Sequence, residues 1–149
     1  MKQNTRVAEI QISYVPAIAE KPIITGSLDA YNALTPFFPT STIALQEQFV
    51  CMYLNRANRV LGVFPVSLGG ITGTIADVRL ILCVALKTAA SSIILAHNHP
   101  SGYLQPSIQD KSLTEKIKQA AELIDVRLQD HIILAPNDRY YSFMDEGML

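Results

Sequence analysis

The amino-acid sequence predicts an α/β fold, a sandwich built on a mixed β-sheet. Apolar, strand-like runs alternate with two long stretches whose apolar residues recur at period 3.6. A polar turn, Asn55–Asn58, joins two of the strand-like runs as a hairpin. The chain has 149 residues, of which 49% are apolar and 17% charged, a composition that suits one core-forming domain and not a disordered chain.

Taken in order, Ala8, Ile10, Ile12 and Tyr14 alternate with Glu9, Gln11 and Ser13, which predicts a half-buried strand. Pro16 and Pro22 mark an extended loop, and Ser27 is a candidate N-cap for a short helix over Leu28–Leu34. Pro36 and Pro39 interrupt the chain before Ile43. Residues 1–42 thus form an N-terminal extension, strand plus short helix, on a domain over 43–149. The hairpin follows, with Phe49–Leu54 as one strand and Arg59–Ser67 as the other, and then a loop punctuated by Gly69, Gly70 and Gly73. Asp77 opens a helix to about Ala90, with Val78, Ile81, Leu82, Ala85 and Leu86 on one face. Ser92–Ala96 is a short buried strand. Ser107 opens a second helix reaching about Ile124. Val126–Leu128 and His131–Ala135 are strand-like, Pro136-Asn137-Asp138 is a turn, and Tyr140–Phe143 is a last short strand.

Composition narrows the function classes. Twelve Lys and Arg against thirteen Asp and Glu give a net charge of −1, so a strongly basic nucleic-acid binder is excluded. The apolar runs fall short of the roughly 20 residues of a membrane-spanning helix, and the first residues lack the apolar core of a signal peptide. Cys51 and Cys83 lie far apart in apolar surroundings, neither a disulfide framework nor a cysteine zinc site, and a reducing cytoplasm is the expected location.

Chemistry concentrates in one segment. His97 and His99 stand two apart where a buried strand ends, so in extended backbone both imidazoles point the same way. Asp110 falls in the first turn of the next helix. Two imidazoles and a carboxylate leave a fourth position open for water, the requirement of a catalytic zinc. Alternatives stand beside this reading. A lone His-x-His is a weak signal, and Ser107-Ile108-Gln109-Asp110 is also a capping box, which accounts for Ser107 and Asp110 without a metal. His131, at the start of a strand, reads as structural.

The run His97-Asn98-His99-Pro100-Ser101-Gly102, then Pro106-Ser107 and Asp110, resembles the JAMM (JAB/MPN) metalloprotease motif: His-x-His, seven residues, Ser, two residues, Asp. Asparagine between the histidines and the following Pro-Ser-Gly resemble the RadC branch, as do Leu45–Phe49, Gly69–Thr74, Leu128–Ile133 and Tyr141–Phe143. The resemblance implies a three-layer-like JAB/MPN fold, similar to that of cytidine deaminases. It implies His97, His99 and Asp110 as zinc ligands, Glu47 as general base on the zinc-bound water, and Ser107 as a donor to the oxyanion. On pattern alone Glu47 reads as a solvated residue at a helix-to-strand junction, and it is the resemblance that reverses this. Residues 1–42 do not resemble the helix-hairpin-helix region of full-length RadC proteins.

Two functions follow as expectations. One is a zinc-dependent peptidase or isopeptidase acting on a peptide or protein amide. The other is a RadC-like DNA-repair accessory module with little or no catalysis. A zinc nucleobase deaminase is excluded because its Cys-x-x-Cys is missing. Substrate choice is expected to lie in the loops 67–74 and 101–105, and the oligomeric state is left open.

Overall fold

The computed structural model describes residues 7–17, 19–69 and 75–149. A five-stranded mixed sheet forms its centre. The chain runs through α1 (Ser27–Leu34), a 3₁₀ turn (Thr35–Phe37), β1 (Gln48–Leu54), β2 (Val60–Leu68), α2 (Val78–Lys87), β3 (Ser92–Asn98), α3 (Ile108–Glu122), β4 (Arg127–Ala135) and β5 (Arg139–Ser142). Across the sheet the order is β2-β1-β3-β4-β5. Among the described residues only β3 and β4 pair in parallel, joined by α3 as the crossover.

Both faces of the sheet are covered, which is why β1 and β3 read as continuous apolar runs and not as alternating ones. Phe49, Cys51, Tyr53, Ile93 and Leu95 face α2 and α3, meeting Ile81, Ala85, Ile117 and Ala121. Val50, Met52, Leu54, Ile94, Ala96, Ile132 and Leu134 face α1 through Ala30 and Leu34. Three layers result, as the JAB/MPN resemblance implied. Tyr53, buried at the middle of β1, donates its hydroxyl to the Ile81 carbonyl at 3.0 Å and so ties strand to helix. Asp77 caps α2 by accepting from the Arg79 N–H at 2.9 Å.

Four expectations change. Residues 8–14 form no strand: Val7, Ile10, Ile12 and Val15 are 80%, 86%, 68% and 87% exposed. Alternation permits a strand, but a strand needs a ladder partner, and this segment meets β2 through a side chain, Tyr14 Oη donating to the Leu61 carbonyl at 2.8 Å. Ser27 is the first helical residue and not the N-cap, which is Gly26; Asp29 in the first turn accepts from the Thr25 N–H instead. The two strand-like pieces after Val126 are one strand, β4, with a register shift opposite Ile93 and Ile94. Asp130 does not break it, because its carboxylate accepts from the Ser142 hydroxyl and from the N–H groups of His131 and Met144. Cys83 is exposed, while Cys51 is buried and burial pushes its thiol up to about 12.

The outer strand β2 carries Pro65 and two register shifts against β1. The turn between β4 and β5 places Asn137 and Asp138 at φ of 70° and 56°, the left-handed pair that a tight hairpin demands. Residues 70–74 of the glycine loop lie outside the described residues. Among the described residues no helix is long and apolar enough to cross a membrane.

Candidate metal centre

β3 delivers His97 from its interior and His99 just past its end. The His99 N–H continues the ladder by donating to the Leu134 carbonyl at 2.8 Å. Pro100 to Gly102 then turn the chain. Gly102 holds φ of +81°, a conformation open to glycine but strained for a side chain, and its N–H returns to the His99 carbonyl. That turn brings the Tyr103 carbonyl within 2.6 Å of His99 Nδ1, which donates to it. Asp110 is set by the start of α3. Ser107 Oγ accepts from the Asp110 N–H at 3.0 Å, and Asp110 Oδ2 accepts from the Ser107 N–H at 2.7 Å, so the capping box is present.

The capping box does not compete with the cluster. The same carboxylate presents Oδ1 to His97 Nε2 at 3.2 Å and Oδ2 to His99 Nε2 at 3.3 Å, while the two Nε2 atoms stand 2.9 Å apart. A tetrahedral ion with bonds of about 2.0 Å sets its donors about 3.3 Å from one another. The three side chains therefore fit one metal cation in spacing and in donor type, imidazole and carboxylate. Three electron-rich atoms so gathered call for a positive charge among them. Burial alone would raise the Asp110 carboxyl, but its contacts with His97 and His99 and its bond from the Ser107 N–H outweigh that and hold it far below the usual carboxylate range. Burial opposes a charge on His99, and Asp110, the Tyr103 carbonyl and Glu47 together overcome it, raising its pKa.

Glu47 lies immediately before β1. Because Phe49 pairs with His97 in the antiparallel ladder, Glu47 arrives alongside the end of β3. It is half-buried and within electrostatic reach of His97, His99 and Asp110. Burial raises its pKa, Asp110 adds to the rise, and the two histidines pull it back. The structure thus brings Glu47, His97, His99 and Asp110 together, with Ser107 exposed at the rim.

Asn98 had served only as part of the motif. Its side chain points away from the histidines and fastens the segment that carries Glu47: Oδ1 accepts from the Gln48 N–H at 2.7 Å, and Nδ2 donates to the Ile43 and Gln46 carbonyls at 2.8 and 2.9 Å. The alternation of β3 was the available signal, since the residue between two same-facing histidines must face the other layer. His131 had read as structural. It lies one strand from His97 in the same layer, with Nε2 at 2.8 Å from His97 Nδ1 and Nδ1 at 2.7 Å from Thr114 Oγ1. Burial, the nearby histidines and, against them, Asp110 leave its imidazole well below the usual range. Thr114 is one turn beyond Asp110 on α3 and donates to the Asp110 carbonyl at 2.6 Å.

Residues 24–148 match the family model for the RadC-like JAB domain. A UPF0758 protein of Flavobacterium johnsoniae is 45% identical over 125 residues, 84% of this chain and 53% of that protein. One of Porphyromonas gingivalis is 44% identical over 126 residues, 85% of this chain and 54% of that protein. One of Aquifex aeolicus is 40% identical over 104 residues, 70% of this chain and 45% of that protein. The chain spans about half the length of the curated relatives it matches.

Proposed function

Since this chain belongs to the RadC-like JAB domain family, we propose that it is a zinc-dependent metallohydrolase that cleaves an amide bond, as a peptidase or isopeptidase. The observation that carries the reading is the convergence of His97 Nε2, His99 Nε2 and the Asp110 carboxylate, beside a fourth titratable group, Glu47, whose pKa is raised. His97, His99 and Asp110 would hold the ion. When bound, zinc would bring the pKa of a water in the site close to neutral and polarise the carbonyl oxygen under attack.

The chain's own residues supply the proton transfers. Glu47 takes a proton from the attacking water as the water oxygen bonds to the carbonyl carbon. It returns that proton to the departing amine nitrogen when the carbon–nitrogen bond breaks. A raised carboxyl pKa favours both halves, because the group must accept a proton and then give it up near neutral pH. Ser107 accepts the cap hydrogen bond through a lone pair and keeps its hydroxyl proton as a donor to the developing oxyanion. The two unpaired cysteines fit a reducing compartment.

Metal analysis after zinc reconstitution tests the site. Wild type is expected to hold about one zinc and His97→Ala none; equally empty proteins would sink the reading. Glu47→Gln is expected to keep the zinc and lose on the order of 10²–10⁴-fold in turnover on peptide or isopeptide libraries. Metal retention with no turnover on any amide would shift the reading to the accessory module.

A further inference from the structure

Every hydrogen bond behind His97 has its direction fixed from one end. The Asp110 backbone carbonyl can only accept, so the single proton of the Thr114 hydroxyl lies on their 2.6 Å contact. The hydroxyl then has no proton left for His131, and the 2.7 Å contact must be an N–H donated by His131 Nδ1. His131 is fully buried between Phe143, stacked on it at 4.8 Å, and Phe49, edge-on at 5.6 Å, surroundings that require a neutral ring. A neutral imidazole has one N–H, so its Nε2 carries a lone pair and accepts the 2.8 Å bond from His97 Nδ1–H. His97 Nε2 is left bare, and it is the atom that faces His99 and Asp110. The reverse order would leave two oxygens 2.6 Å apart with no proton between them.

We infer that Thr114 and His131 are positioning residues that hold His97 in its Nδ1–H form and keep the Nε2 lone pair turned toward Asp110, a role that has its purpose only if the metal-centre reading holds. The relay starts at the backbone of Asp110 and ends on His97, so two of the three donors are oriented by one hydrogen-bonded circuit. His99 is set separately by the Tyr103 carbonyl. Partners of this kind behind a metal-binding imidazole alter affinity about 10–100-fold.

Long-range proton–nitrogen spectra of the metal-free chain with ¹⁵N-labelled histidine, at mildly alkaline pH, give each ring's tautomer without any metal. His97 and His131 are both expected to be protonated on Nδ1. Thr114→Val should move His97 toward the Nε2–H form and weaken zinc about 10–100-fold in chelator competition, with Thr114→Ser close to wild type. If Thr114→Val does not fold, His131→Phe carries the same expectation. His131→Gln should restore binding, since its amide can accept from His97 and donate to Thr114. An Nε2–H form of His97 in wild type, or unchanged zinc affinity in a folded Thr114→Val or His131→Phe, overturns the inference. Wild type with the assigned tautomers and no zinc uptake supports the relay and brings down the metal-centre reading instead.

Discussion

His131 shows how far a single buried imidazole can be read from sequence. Its place at the start of a strand was visible, and it pointed to a structural residue. Its contact with His97 depends on β3 and β4 lying side by side, a pairing that spans 34 residues and leaves no local trace. The same burial has a measurable consequence. The folded pKa of His131 lies below the unfolded value, so the unfolded chain binds a proton below about pH 6.5 that the folded chain refuses. Folding stability from this group is therefore present above that pH and lost as pH falls, by at most about 1.4 kcal/mol per unit. Denaturant unfolding of the metal-free protein at several pH values should show wild type losing stability relative to His131→Phe on acidification. Parallel curves would mean that the folded ring takes up the proton.

At the scale of elements, two joints set the site, and they differ in burial. The α3 cap at Ser107 is exposed, so Ser107→Ala is expected to cost about 1 kcal/mol. Asn98 is buried and joins β3 to the segment before β1 by three hydrogen bonds. Asn98→Ala leaves the Gln48 N–H and the Ile43 and Gln46 carbonyls without those partners, at about 1–3 kcal/mol for a group left unsatisfied. Chemical denaturation should rank Asn98→Ala as the more damaging of the two; equal costs would show that residues 43–48 find other partners. The start of α3 was legible because a cap is written in adjacent residues. The Asn98 joint was not, since its partners stand some fifty positions earlier. The strand expected over residues 8–14 failed for a related reason: alternation describes one face and says nothing of an edge to pair with.

For the molecule as a whole, the pattern of apolar runs identified the hairpin, both long helices and the class of fold. The strand order β2-β1-β3-β4-β5 was beyond it, because order is decided by which faces bury one another. β3 is central, covered on both faces and paired on both sides. Its amide protons, Ile93 to Ala96 above all, are expected to exchange only when the entire chain unfolds, whereas those of β5 exchange through local opening. Native-state hydrogen exchange against low denaturant checks this; exchange of β3 at a lower free energy than global unfolding would show that the His97 strand opens on its own.

The build of β2 bears on how copies of the chain meet. A nine-residue outer strand is a template onto which a neighbour's strand could add, and a chain nearly half apolar would suffer from such growth. Pro65 offers no N–H there, the two register shifts kink the ribbon away from flatness, and the Tyr14 hydroxyl already occupies the Leu61 carbonyl. At the opposite margin β5 has only four residues. Among the described residues, backbone bonds from Pro22 and Ile24 also cover the start of β2, and both margins of the sheet are thus poor seeds for edge-to-edge aggregation.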